Sequence, residues 1–181
     1  MKSTIRAVNT SVLKIVLSHL DKGEDHLAQS RYGLTPDQIA WIRDLPPHQL
    51  LDKAGNSALS LFTLRRAFQV TACRGASVNA PTLYDTTLQT PYAHQLVVMT
   101  FITALRELSA KNHRLASIRL GVTEEFAACS VRLSVDAWFA LAGSRTATFC
   151  PTDVLNTVIR PRTDSVTTLR NILRSVSAPA A

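Results

Sequence analysis

Leu27-Ala-Gln-Ser-Arg-Tyr-Gly-Leu-Thr35 and Leu115-Ala-Ser-Ile-Arg-Leu-Gly-Val-Thr123 align without a gap at an offset of 88 residues. The identities continue outwards from there. Upstream, Leu17 and Leu20 match Leu105 and Leu108; downstream, Ala40, Leu45 and Ala54-Gly55 match Ala128, Leu133 and Ala142-Gly143. Four of the six glycines fall in matched pairs. So many identities at one offset mark a tandem duplication, and the fold has to be read as two related units.

Both units follow one helical grammar. Val12, Ile15, Val16 and Leu20 in the first, and Val97, Val98, Phe101, Leu105 and Leu108 in the second, recur at the spacing of an amphipathic helix. Such stripes complete a unit's own core or pack on each other as a pseudo-dimer. A shorter helix then runs to Arg31-Tyr32 or Arg119-Leu120. Gly33 and Gly121 follow, where a left-handed residue stops a helix. Thr35-Pro36-Asp37-Gln38 reads as a cap, a proline in the first turn and a capping box, and Thr123-Glu124-Glu125 repeats the cap with acidic residues at the positive helix end.

Pro46-Pro47 halts that helix in the first unit, and Ser134 caps a new one in the second. The next helices, His48 to Ala54 and Val135 to Ala142, are expected to end at Gly55 and Gly143. Two short helices between Thr35 and Gly55 have the dimensions of a helix-turn-helix, a spacing shared with many helical hairpins. Leu59 to Leu64 and Ala147 to Phe149 look extended.

The expected class is all-α: a first helical unit over 1–74, a linker over 75–91, a second unit over 92–150 and a basic C-terminal segment over 151–181. In that last segment Val154 to Ile159 reads as one turn, and Val166, Leu169, Ile172, Leu173 and Val176 form the stripe of a final helix. It would dock on the core or on another protein.

With 181 residues, 46% of them apolar and 18% charged, the chain has the composition of a folded protein rather than a disordered one. Its longest largely apolar stretch, Leu96 to Leu105 with Thr100 and Thr103 inside it, is about half the roughly 20 residues that span a bilayer. The N-terminus lacks the pattern of a secretory signal, so a cytoplasmic location is expected. Cys73, Cys129 and Cys150 are odd in number and show no C-x-x-C spacing, so they read as buried thiols of a reduced compartment.

Twenty basic against thirteen acidic residues give a net charge of +7. Fifteen of the twenty are arginine, the planar donor suited to phosphate and guanine. No acidic residue lies between Lys53 and Asp85, where Arg65, Arg66 and Arg74 accumulate. From Phe126 to the end, Asp136, Asp153 and Asp164 face Arg132, Arg145, Arg160, Arg162, Arg170 and Arg174, a second basic run. Such strips are either solvated surface or lie where phosphates flank a groove. Arg31 and Arg119, being repeat-equivalent, read as structural.

Reactive constellations are missing from the sequence. The five histidines share no metal-ligand spacing, and there is no G-x-S-x-G elbow, no phosphate loop and no G-x-G-x-x-G. The pairs Glu24-Asp25 and Glu124-Glu125 suit helix starts better than acid–base work. No enzymatic activity, no cofactor, no metal and no small-molecule substrate are therefore expected.

Arg31-Tyr-Gly-Leu-Thr-Pro-Asp-Gln-Ile-Ala40, and more closely Ala116-Ser-Ile-Arg-Leu-Gly-Val-Thr-Glu-Glu-Phe-Ala127, resemble the FlhD subunit of the flagellar master activator FlhDC. Leu133-Ser134 and Leu141-Ala142 echo the following helix of that family. The resemblance implies two fused FlhD-like helical units and a transcriptional activator that binds promoter DNA with a second subunit. A tandem chain is also similar to the BisDC-type regulators of integrative and conjugative elements. Three cysteines cannot supply the four-cysteine zinc site of FlhC.

The sequence thus points to a DNA-binding regulator with a partner subunit. His48, Gln49 and Lys53, or Arg132 and Ser134, are the candidate base readers, and Arg65, Arg66, Arg145, Arg160 and Arg162 the candidate phosphate contacts. The rival is an adaptor or anti-activator that binds another regulator through its helical stripes and never touches DNA.

Overall fold

The long helix of each unit grows from its apolar stripe. The computed structural model describes residues 2–73, 92–144 and 147–160. Its first unit runs α1 (Lys2–Asp21), α2 (Asp25–Tyr32), α3 (Pro36–Asp44), α4 (Pro47–Asn56), β1 (Phe62–Leu64) and α5 (Arg66–Cys73). The second repeats the order with α6 (Tyr92–Lys111), α7 (His113–Leu120), α8 (Glu124–Ser130), α9 (Val135–Ala142), β2 (Phe149–Pro151) and α10 (Asp153–Ile159). The class is all-α, with one two-stranded sheet among the described residues.

Local chemistry sets the helix ends. Thr35 and Gln38 form the full capping box, and the Thr123 and Ser134 hydroxyls accept from the backbone N–H groups of Phe126 and Ala137. Gly33 and Gly121 are both left-handed, each at φ 67°. Gly55 is not left-handed and does not stop its helix; α4 runs one residue further, to Asn56. Asn112, which the sequence reading passed over, caps α7 by accepting from Leu115 N.

The two stripes do pack on each other. α1 lies against α6 in antiparallel sense, with Thr4 Oγ1 donating to Glu107 Oε2 at 3.2 Å near one end and Tyr32 meeting both His19 and His94 near the other. Val12, Val16, Val98, Phe101 and Leu105 are all buried within one shared core. Each large side chain buried this way contributes about 1.5–3 kcal/mol.

β1 and β2 pair antiparallel, Phe62 with Pro151, Thr63 with Cys150 and Leu64 with Phe149. Shifting by the repeat offset of 88 turns the first of these pairs into the second. The sheet therefore straddles a local two-fold axis, and the two extended pieces are each other's partner.

The elements beyond the strands cross over. α5 packs on α8 of the second unit, while α10 packs on α3 and α4 of the first. Residues 153–159 thus form a helix equivalent to α5, where the sequence suggested one turn of a separate tail. Gly33 sits under β2 and Gly121 under β1: a Cβ on Gly33 would meet Pro151 Cδ at 3.2 Å, and one on Gly121 would meet Thr63 Cβ at 3.5 Å. Pro151 and Thr63 are themselves 88 residues apart. The linker 75–91 and the helix expected over Val166 to Val176 lie outside the described residues.

Several polar groups inside this core are matched, while Ser109 Oγ and Trp138 Nε1 are buried without a hydrogen-bond partner. Asn9 Nδ2 donates to the carbonyls of Ala54 and Leu59, each at 3.1 Å, and Asn9 Oδ1 accepts from Leu61 N at 2.9 Å. In the second unit His94 takes over the equivalent task. Its Nε2 donates to the Ala147 carbonyl at 2.6 Å, which leaves Nδ1 to accept from the Tyr32 hydroxyl at 3.0 Å. Burial holds His94 below the usual imidazole range and pushes the Tyr32 phenol up. Phe149 stacks on Tyr32 at 5.9 Å, closing an aromatic cluster with Phe62 and Phe101.

Candidate nucleic-acid interface

The two hairpins have the same frame and different outer faces. In α4 the helical period turns Leu50 and Ala54 inwards, against α1, and leaves His48, Gln49, Asp52 and Lys53 exposed. Three of the sequence-predicted readers thus share one outward helix face. The fourth exposed member, Asp52, places a carboxylate beside them.

In α9 the same frame buries Trp138 and Ala142 against α6. Its outer face carries Val135, 53% exposed, and Phe139, 60% exposed. Val131 and Ile118 add exposed apolar surface on the same unit. Arg132 is exposed at the α8–α9 turn, but the Ser134 hydroxyl is engaged in capping. The second hairpin therefore brings two candidate polar readers to its surface, one of them engaged in capping, where the first brings three.

The arginines separate by what they touch. Arg65 is exposed, yet its Nε donates to the Phe149 carbonyl at 3.3 Å and its Nη2 to the Ser30 carbonyl at 3.5 Å. Its backbone N–H also extends the β1–β2 pairing to the Thr148 carbonyl. The side chain has a structural task that its sequence neighbourhood gave no sign of. Arg66 opens α5 and is exposed. Arg160 is exposed too, with its guanidinium 6.0 Å from the Trp41 ring centroid, in cation–π range. Arg145 and Arg162 lie outside the described residues.

Other cations are already matched by acids. Arg43 forms a two-pronged pair with Asp25 at 2.6 and 3.0 Å, and Lys111 lies 3.8 Å from Glu107. Arg31 and Arg119 are half-buried next to the two left-handed glycines, and the Arg119 carbonyl accepts from Ser60 N at 2.7 Å.

The open groove over the α1–α6 seam, which includes Thr4, Ala7, Leu96, Met99 and Thr100, brings in Glu107 as its one titratable side chain. A lone carboxylate offers no acid–base pair. Among the described residues no group of three His, Cys, Asp or Glu side chains could hold a metal ion, and no helix is long and apolar enough to cross a membrane.

No family model, no curated protein and no solved structure matches the chain.

Proposed function

We propose that the protein is a DNA-binding transcriptional regulator, an activator that works with a second protein subunit. The observation that carries this reading is the outward face of α4. His48, Gln49 and Lys53 stand together there on a helix whose other face is anchored to α1. Side chains of these types donate to base edges and phosphates, and a helix held by core packing presents them in fixed register. The net charge of +7 favours approach to a polyanion, with Arg66 and Arg160 as the phosphate contacts that remain among the described residues. Activation, rather than repression, follows from the likeness to FlhD and BisDC-type regulators.

A second reading has its own observation. The exposed Val135 and Phe139 are unlike the polar face of α4 and suit contact with protein. On that reading the chain is an adaptor that binds another regulator and leaves DNA untouched.

Fluorescence anisotropy on the promoter DNA upstream of the protein's own coding region separates the two. It is run at several salt concentrations, with and without the protein encoded alongside. A regulator binds selectively, more tightly with its neighbour, and loses affinity steeply with salt. A stable complex of the two proteins with no affinity for the duplex at low salt would establish the adaptor.

A further inference from the structure

Cys73 ends α5 of the first unit and Cys129 lies on α8 of the second, two helices packed face to face. Around the two thiols the contact is well defined. Phe68 meets Phe126 edge-on at 6.2 Å, and Gln69 Oε1 accepts from Thr123 N at 2.8 Å. Cys73 lies five residues after Phe68 on α5, and Cys129 three residues after Phe126 on α8. After burial, the neighbouring Cys129 thiol is the next cause that raises the Cys73 thiol, and both residues are half-buried. The other half of the molecule has its own side-chain contact at this place. Trp41 holds the position equivalent to Cys129 and meets Arg160, the residue just beyond α10.

We propose that Cys73 and Cys129 form an oxidisable pair whose disulfide staples the first unit to the second across the α5–α8 contact. The oxidant is a peroxide. One thiolate attacks the O–O bond to give a sulfenic acid and release one water; the other thiolate then displaces the second oxygen as water. Two thiols and one hydrogen peroxide become one disulfide and two waters, so the sulfurs are oxidised and the peroxide oxygens reduced. Burial, and then the neighbouring thiol, pushes Cys73 up to about 11. Little of it is thiolate near neutral pH, so the reaction is slow and quickens as pH rises. Cys150 sits apart on β2 and serves as the internal control.

The test treats the full chain with hydrogen peroxide, alkylates the remaining thiols and maps the digest by mass spectrometry. The expected result is a Cys73–Cys129 linked peptide pair with Cys150 alkylated, and a Tm higher by roughly 5–15 °C that dithiothreitol reverses. Cys150→Ser should keep both effects, and Cys73→Ser or Cys129→Ser should lose them. Bridges through Cys150, linkage between chains, sulfinic acids without a bridge, or three fully alkylatable thiols would each overturn the proposal. The digest of the unaltered chain decides it even where a serine variant fails to fold.

Discussion

Gln38 Nε2 donates to Asn156 Oδ1 at 2.9 Å, at the place where the other half of the molecule sets Phe126 against Phe68. Gln38 and Phe126 are 88 residues apart, as are Phe68 and Asn156. One two-fold-related contact has become an amide pair on one side and an aromatic pair on the other. Both tie a crossed-over helix to the hairpin beneath it, so the crossover is fastened twice by different chemistry.

The amide side can be measured by a double-mutant cycle. Gln38 also accepts from Thr35 N in the capping box, so Gln38→Ala removes two hydrogen bonds and is expected to cost about 2 kcal/mol. Asn156→Ala removes one and should cost about 1 kcal/mol. Denaturant unfolding of the single and double variants should give a coupling energy of about 1 kcal/mol. Strict additivity would show that the two amides do not support each other.

The three left-handed glycines among the described residues form a graded series. Gly23, at φ 73°, has open space where a Cβ would go, so Gly23→Ala should cost the backbone strain alone, about 1 kcal/mol. Gly121→Ala would press a methyl against Thr152 Cγ2 at 3.2 Å, and Gly33→Ala against Pro151 Cδ at 3.2 Å and Cys150 Cα at 3.3 Å. Since backbone yields least, Gly33→Ala should lower Tm most, Gly121→Ala less and Gly23→Ala least. Equal losses at all three would refute close packing of the helix ends under the strands.

His94 makes stability depend on acid. Because burial lowers its folded pKa, the unfolded chain takes up the proton first. The contribution of neutral His94 is complete above the unfolded value of about 6.5 and is lost as pH falls from there through the lowered folded value. Within that window the slope reaches at most about 1.4 kcal/mol per pH unit. His94→Gln should be less stable at pH 8 yet show a flatter curve between pH 6.5 and 5 in chemical unfolding. A variant curve parallel to the wild type would assign the acid sensitivity elsewhere.

Arg65 and Arg66 are adjacent in sequence and should behave differently. Arg65→Ala gives up hydrogen bonds to two carbonyls and is expected to cost about 1 kcal/mol, a fall in Tm of a few degrees. Arg66→Ala should leave Tm unchanged and, on the DNA-binding reading, lower the salt slope of binding by about one. Calorimetry and anisotropy on the same two variants check both statements. Equal Tm values would remove the structural task assigned to Arg65.

Much of this fold was legible in local sequence signals. The Thr35–Gln38 box, the Ser134 cap, the left-handed Gly33 and Gly121 and the long stripes of α1 and α6 each follow from chemistry within a few residues. What escaped depends on distant partners. Phe62 and Pro151 pair across about half of the chain, and nothing in either extended piece names the other. α5, with Val70, Thr71 and Cys73 in its short span, has weak helical propensity and owes its form to packing on α8. Asn9 left a trace, a polar residue inside the apolar stripe of α1, whereas the carbonyls it serves lie about 50 residues away. For the interface, exposure of His48, Gln49 and Lys53 followed from helical phase, but the carbonyl contacts of Arg65 did not.

The crossing of α5 and α10 also dictates an order of events during synthesis. β1 has its strand partner, and the α3–α4 hairpin its cover from α10, only when residues 149–159 have left the ribosome. The first half must wait, incompletely closed, for nearly the whole chain, a topology that slows folding. Cut between the repeats, the gene should yield two halves that are each sticky alone and that recover the native state when mixed.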